Sequence, residues 1–132
     1  MKIQPDSLEH LYLNMAGGDW LSIHEVNYEA KDFEPDEVKR KALVLSTMRS
    51  LAEAGYLRIG SVEYVNPETK VIDFFEWPGT LDEKIERLSG VYMPEGRDDK
   101  EWGWACMFEI TDEGEAVEES LPPLDERFFD ES

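Results

Sequence analysis

The sequence predicts an α+β domain in which helices precede and follow a small antiparallel sheet. Three patterns lead to this prediction. Apolar residues recur at helical spacing in several segments that carry cap residues at their ends. Two segments rich in β-branched and aromatic residues flank a four-residue turn, and a later segment alternates apolar and polar residues over nine positions.

The first two predicted helices have clear start signals. The first begins after the cap candidates Asp6 and Ser7 and ends before the glycines at 17–18. Its apolar stripe consists of Leu8, Leu11, Tyr12 and Met15. A short strand is expected at residues 20–21, after which Ser22 and Glu25 form a capping box that opens a brief second helix.

The third predicted helix begins at Pro35, runs to about Ala54 and is ended by Gly55. At about 100° per residue, one broad face is apolar and the opposite face is polar. The apolar face consists of Val38, Leu45, Met48, Leu51 and Ala52. The polar face consists of Lys39, Ser46 and Ser50.

A β-hairpin follows, with strands over residues 56–65 and 70–77 and a type I turn at residues 66–69. We interpret Gly60 as a β-bulge, because the apolar alternation changes phase around it. The hairpin would supply two neighbouring strands of the sheet.

An additional helix is predicted before the last strand, over residues 80–89, and a loop over residues 91–101 follows it. The last strand covers residues 102–110, where every second side chain is apolar. We expect its two tryptophans, Trp102 and Trp104, to lie in the core. Thr111 then caps a final acidic helix.

Residues 1–121 are interpreted as one domain, and residues 122–132 as an acidic C-terminal tail that contains an aromatic pair. This pair, Phe128 and Phe129, is a candidate anchor for a partner or a second subunit, because exposed aromatic residues are frequent binding hot spots. The alternative is a frayed terminus.

Charge is the strongest compositional signal, since 31 acidic and 13 basic residues give a formal net charge of -18. A field of this sign repels polyanions and disfavours nucleic acid and anionic membranes as partners. No apolar run approaches the roughly 20 residues that span a bilayer, and the N-terminus lacks a signal-peptide pattern. The sequence therefore predicts a cytoplasmic protein, in which Cys106 is a buried thiol.

Catalytic, cofactor-binding and metal-binding signatures are missing from the sequence, which predicts a protein without enzymatic activity, cofactor or metal. His24 and Glu25 begin the pattern of a zinc-protease helix, but Tyr28 stands where its second ligand is needed. We interpret His10 and His24 as surface or cap-adjacent residues. The acids of the long loop lack calcium-binding spacing; they are Asp98, Asp99 and Glu101.

The order of the elements and two short phrases resemble a winged helix-turn-helix domain. Residues 48–57, MRSLAEAGYL, resemble the end of a recognition helix that passes into the first wing strand. Residues 108–114, FEITDEG, resemble the strand-to-helix junction after the wing of bacterial winged-helix regulators. The resemblance covers residues 6–120 and implies a fold, since winged helices serve DNA binding, RNA binding and protein docking alike. The helix at residues 80–89 departs from the regulator pattern.

Three functions remain open at this point. The first is a non-enzymatic regulatory or accessory protein that acts through protein contacts, including contacts within a homodimer. The second is a DNA-binding transcription regulator that uses the helix at residues 36–54. In either case the candidate contact residues are Lys39, Arg40, Ser46, Arg49 and Ser50. The third is an acidic DNA mimic that blocks a DNA-binding protein.

The distribution of charge along the sequence decides which of these three functions we favour. Residues 36–58 carry five basic and three acidic residues, a net charge of +2, so the rest of the chain carries -20. Cations on the third helix would suit phosphate contacts. The turn of the hairpin adds no positive charge, however, and DNA-binding winged helices usually present a wider basic patch. The sequence therefore favours protein docking over DNA binding.

Overall fold

The structure, a computed structural model, describes residues 1–94 and 99–129, and only the backbone at residues 99, 101 and 129. Helices α1 to α6 cover Leu8–Ala16, Ile23–Ala30, Glu37–Glu53, Leu81–Val91, Asp99–Trp102 and Asp112–Ser120, and a 3₁₀ helix covers Glu126–Phe129. Strands β1 to β4 cover Leu21–Ser22, Leu57–Asn66, Val71–Glu76 and Met107–Ile110.

The strands form one antiparallel sheet in the order β1-β4-β2-β3. Helix α4 lies between β3 and β4 in the chain. The predicted α+β fold, with a small antiparallel sheet and a helix before the last strand, is therefore confirmed. In the described part of the chain, every helix is too short or too polar to cross a membrane.

Side-chain caps set the helix boundaries where the sequence indicated them. The Ser7 hydroxyl and the Asp36 carboxylate accept hydrogen bonds from backbone N–H groups in the first turns of α1 and α3, at 3.2 and 2.9 Å. The capping boxes that open α2 and α4, at Ser22 and Thr80, are both present. Because Asp36 is the cap of α3, Pro35 precedes this helix and does not begin it.

The segments after α3 and before α6 are joined by close backbone contacts. Gly55 ends α3 at φ +81°. Thr111 donates from its backbone N–H to the Tyr56 carbonyl at 3.0 Å and from its hydroxyl to the Gly55 carbonyl at 2.5 Å. A Cβ atom on Gly114 would lie 2.3 Å from the Tyr56 carbonyl oxygen. The two phrases noted in the sequence therefore meet in space, and their glycines and threonine are required by that contact.

The core lies between the sheet and helices α1, α2 and α3. Its largest fully buried apolar side chains include Tyr12, Leu13, Leu21, Ile23, Met48, Leu51, Ile59 and Phe108. Burial of one such side chain contributes about 1.5–3 kcal/mol relative to exposure. Residues from all parts of the chain join this one cluster.

The buried face of α3 is rotated from the predicted one. Its buried residues are Arg40, Val44, Thr47, Met48 and Leu51. Met48 and Leu51 agree with the prediction, whereas Val38 is 63% exposed and was wrongly placed. The prediction failed because it used apolar character alone, and two of the buried side chains, Arg40 and Thr47, are polar.

The last strand is shorter than predicted, since β4 begins only at Met107. Trp102 ends helix α5, and Trp104 lies in the turn that precedes the strand. Trp102 is buried as expected, but Trp104 is 66% exposed. The prediction that Trp104 belongs to the core was wrong, because the chain turns at residues 103–106 instead of extending through them.

Candidate protein-docking surface

The candidate contact residue Arg40 is buried and is used within the fold. Its guanidinium donates to the side-chain oxygen of Asn27 at 3.1 Å. It also donates to the backbone carbonyls of Glu34 and Pro35, at 3.3 and 3.0 Å. Contrary to the prediction, Arg40 therefore offers no surface to DNA or to a partner, because it ties α2 to the loop before α3.

Helix α4 lies against α3 and contacts two more of its cations. Lys41 Nζ donates to the carbonyl of Ser89 at 2.8 Å, and Arg49 pairs with Asp82 at 2.6 Å. Arg58, just after α3, pairs at 2.8 Å with a glutamate of β4. Exposed ion pairs stabilise a protein by only about 0.2–1 kcal/mol, but here they neutralise charges that would otherwise face a ligand.

The outer face of α3 carries Lys39, Ser46 and Ser50, all exposed as predicted. The Ser46 hydroxyl donates to the Leu43 carbonyl at 3.0 Å. Among the five basic residues of segment 36–58, only Lys39 has no side-chain partner in the described part of the chain. The affinity of a protein for DNA grows with the number of phosphates that its cations neutralise. One unpaired lysine therefore contributes little to DNA binding.

Exposed apolar side chains are concentrated on the hairpin formed by β2 and β3. Ten large hydrophobic residues are exposed in the described part of the chain, and five of them lie on this hairpin. We call these five the hairpin surface; they are Tyr64, Val65, Val71, Ile72 and Phe75. Clusters of this kind typically mark interaction sites on monomeric proteins.

The hairpin projects beyond the rest of the sheet. In β2, Leu57–Gly60 pairs with β4, whereas the following residues pair only with β3. The base of the hairpin is fixed because Trp77 is buried and its indole N–H donates to the Ser61 hydroxyl at 2.7 Å. Its outer part is exposed on both faces, and β3 forms the edge of the sheet.

The register of β2 and β3 gives the hairpin one apolar and one acidic face, because directly opposed residues share a face. The apolar face consists of the pairs Val62–Phe74 and Tyr64–Ile72. The acidic face consists of the pairs Ser61–Phe75 and Glu63–Asp73, so the hairpin surface spans both faces and its Phe75 lies beside these carboxylates. Like charges directly opposed across two strands are destabilising. A positive group placed against the acidic face would relieve this repulsion.

A glycine is required at position 60 because atoms of β3 lie close to its Cα, and this residue does not mark a bulge. A Cβ atom at this position would lie 2.1 Å from the Phe75 carbonyl oxygen and 2.8 Å from a ring atom of Phe74. Gly60 pairs in register with both neighbouring strands, and the irregularity lies between Tyr64 and Asn66. The predicted position of the bulge was therefore wrong.

The apolar alternation along β2 changes phase near Gly60 for a reason other than a bulge. Leu57 and Ile59 are buried in the core. Val62 and Tyr64, at odd spacing from them along a regular strand, lie on the opposite face of the sheet. The change of phase therefore marks the point where β2 leaves the core and its apolar residues become exposed.

Acidic residues surround the hairpin surface. Residues 61–76 contain four acidic residues and one lysine, Lys70. One of the four, Glu76, pairs with Lys84 of α4 at 2.8 Å. Glu63, Glu68 and Asp73 remain exposed. An apolar surface bordered by carboxylates suits a partner that combines apolar and positively charged side chains.

The C-terminal segment packs on the domain as far as the structure describes it. Leu124 is buried, and the Asp125 N–H donates to the Asp6 carboxylate at 2.7 Å. The Phe128 ring stacks on Phe33, with centroids 6.2 Å apart. Phe128 is thus engaged within the chain and is not a freely exposed anchor, whereas the side chain of Phe129 lies outside the described residues.

The remaining candidate residues of the sequence are a histidine, a cysteine and the acids of the long loop. His10 is buried next to the cap of α1, where its Nδ1 accepts from the Asp6 N–H at 2.9 Å. Burial raises the pKa of the Cys106 thiol, which makes it a poor nucleophile. In the described part of the chain, no cluster of three or more His, Cys, Asp or Glu side chains is able to hold a metal ion. The predicted loop acids at 98, 99 and 101 lie outside the described side chains.

Comparisons of this chain with protein-family models, with curated proteins and with solved structures found no match. The surfaces described above therefore rest on geometry and chemistry alone. Sequence reasoning missed Tyr64, Ile72 and Trp104 as surface residues. The phase change around Gly60 was a signal for the first two, and Gly103, between two tryptophans, was a signal for the turn that exposes the third.

Proposed function

We propose that this chain is a non-enzymatic, winged-helix regulatory or accessory protein that acts through protein contacts, and that the hairpin surface docks a positively charged partner protein. The observation that carries the proposal is the projecting hairpin, which holds five exposed apolar residues beside three exposed carboxylates. Apolar contacts would supply affinity, and the acidic border would select a basic partner.

The winged-helix assignment is supported by the order of the elements and by one contact. Helix α1, strand β1, helices α2 and α3, and strand β2 follow one another, and β4 pairs with both β1 and β2. The two phrases that resemble winged-helix regulators touch through Thr111 and Tyr56. In this interpretation β3, α4 and α5 form an insertion between β2 and β4.

The disposition of charge supports protein contacts over DNA contacts. Three of the five predicted contact residues, Lys39, Ser46 and Ser50, are exposed on α3, but Arg40 is buried and Arg49 is paired with Asp82. Helix α4 also lies beside α3, where it would restrict entry into a DNA groove. The same chain is acidic elsewhere, so phosphates approaching α3 would be repelled.

The test is a direct binding measurement with an identified partner. Proteins that co-purify with the wild-type chain are identified by mass spectrometry, and the purified partner is titrated by calorimetry against the Tyr64→Thr/Ile72→Thr variant. Because both side chains are exposed, the variant should fold normally. We expect a basic partner whose affinity falls by about tenfold or more, since truncated hot spots weaken binding by about 2 kcal/mol or more.

Val38→Thr is the matched control, because Val38 is as exposed as Tyr64 but lies on α3, away from the hairpin. It should leave the affinity unchanged. Equal affinity of the partner for the wild type and the hairpin variant would show that the hairpin surface is not the docking site. If the only ligand recovered were duplex DNA, and Lys39→Glu abolished its binding, the protein-contact proposal would be wrong.

A further inference from the structure

A second exposed aromatic surface lies at the other edge of the sheet, near β1. Trp104 is 66% exposed, although its neighbours Trp102 and Gly103 are buried. Leaving the largest apolar side chain in water is unfavourable, and tryptophan is enriched at binding hot spots. The position of Trp104 therefore needs an explanation that core packing does not provide.

The turn that presents Trp104 is held by backbone hydrogen bonds. The Ile23 N–H donates to the Cys106 carbonyl at 3.1 Å, and the His24 N–H donates to the Gly103 carbonyl at 3.0 Å. The Ala105 N–H also donates back across the turn at 3.0 Å. Since the turn is fixed to the start of α2, the backbone at Trp104 is held in place, and little backbone freedom is lost when a ligand binds.

Two side chains of α2 extend this aromatic surface. The His24 ring stacks on Trp104, with centroids 6.1 Å apart and planes inclined by 24°. Tyr28 follows one helical turn later on the same face and is 62% exposed. We call Trp104, His24 and Tyr28 the α2 platform. It is independent of the hairpin surface, because β1 and β3 are opposite edges of the sheet.

The α2 platform already holds a cation of its own chain. Lys31 Nζ lies 5.4 Å from the centroid of the Tyr28 ring, within the range of a cation–π contact. Carboxylates crowd the same helix: burial raises the pKa of Glu29, and the nearby charges of Asp32 and Glu25 raise it further. Tryptophan is the best aromatic acceptor for a cation, and the Trp104 face has no cation–π partner among the described residues.

We propose that the α2 platform binds an arginine or lysine side chain from a partner protein, with the cation placed against Trp104 and beside the carboxylates of α2. Aromatic faces supply cation–π attraction, and the net charge of -18 attracts a positive segment from a distance. A nucleotide would meet the same rings, but its phosphates would be repelled.

The test uses a defined probe, a blocked pentapeptide Ala-Arg-Ala-Arg-Ala, and its uncharged counterpart in which citrulline replaces both arginines. Binding to the full chain is followed through the indole N–H signals of the four tryptophans by NMR. We expect the Trp104 signal to shift with the arginine peptide and not with the citrulline peptide. Trp104→Leu should weaken binding of the arginine peptide by about two- to fivefold.

Tyr28→Leu and Val38→Leu form a matched pair, because the two side chains are exposed to a similar degree, 62% and 63%, and Val38 belongs to neither proposed binding surface. The first should weaken binding of the arginine peptide, and the second should leave it unchanged. The proposal is overturned if the citrulline peptide binds as tightly, or if Trp104→Leu binds the arginine peptide as the wild type does. Thermal unfolding of each variant checks that the fold is intact.

Discussion

Helix α3 and the β2–β3 hairpin differ in opposite ways from what their sequences indicate. Residues 36–58, which include α3, carry a net charge of +2, yet four of their five cations contact other groups of the fold. The hairpin has the alternating pattern of an ordinary strand pair, yet its outer apolar residues are exposed. A charge count along the sequence therefore overestimates the unpaired positive charge on α3, and it gives no sign of the exposed apolar residues of the hairpin.

The difference has a structural cause. Helix α4, between β3 and β4, supplies the partners of Lys41 and Arg49 through Ser89 and Asp82. These contacts join residues 33 to 48 positions apart in the chain. Local sequence patterns cannot reveal these two contacts, because both depend on where α4 packs. The hairpin has no such covering element over its outer residues in the described part of the chain.

The largest effect is expected at the base of the hairpin. Gly60→Ala should lower the free energy of unfolding by about 3 kcal/mol, because the added methyl group would overlap a backbone carbonyl oxygen and the Phe74 ring. Urea unfolding measures this. Gly90→Ala in α4 is the control: its added Cβ meets nothing within 4 Å, and alanine favours a helix by about 1 kcal/mol over glycine. Equal stabilities of the two variants would contradict the close approach at Gly60.

A smaller loss is expected when the buried cation of α3 is removed. Arg40→Leu should lower the free energy of unfolding by about 2 kcal/mol, because the carbonyls of Glu34 and Pro35 lose their donor. Lys39→Leu, one position away and exposed, should change it by less than about 0.5 kcal/mol. Chemical denaturation of both variants separates a structural cation from a surface cation. Similar values would show that Arg40 is not structurally required.

The smallest effect concerns the acidic face of the hairpin. Glu63→Thr removes one member of the opposed pair with Asp73 and should raise the free energy of unfolding by about 0.5 kcal/mol. The gain should shrink at 1 M salt, where the Debye length falls to about 3 Å. The same change should weaken binding of a basic partner. Stabilisation that is independent of salt would mean that strand propensity, and not charge repulsion, is responsible.

Local chemistry made much of the fold predictable. The caps at Ser7, Ser22 and Thr80 fixed helix starts, and the Thr111 cap placed α6 at its observed residues. The turn after Asn66 was also recognisable, since its side chain accepts from the Glu68 N–H at 2.9 Å. In each case the residues that decide the structure are neighbours in the sequence.

The candidate surfaces were less predictable, because long-range packing decides them. Arg40 has the sequence signature of a surface cation but is buried against Asn27, thirteen positions earlier. Trp104 fits a strand pattern but lies in a turn fixed by contacts with α2. Phe128 resembles a free anchor, yet it stacks on Phe33. Exposure of an aromatic or a cation is thus a property of the whole fold.

Our proposal that the protein acts through protein contacts and that α3 does not bind DNA can be tested by fluorescence anisotropy with labelled duplex DNA over a range of salt concentrations. We expect no saturable binding at about 10 µM protein and 0.1 M salt, although non-specific binders commonly reach dissociation constants of about 1–100 µM. Tight, salt-sensitive binding that Lys39→Glu with Arg49→Glu abolishes would contradict it.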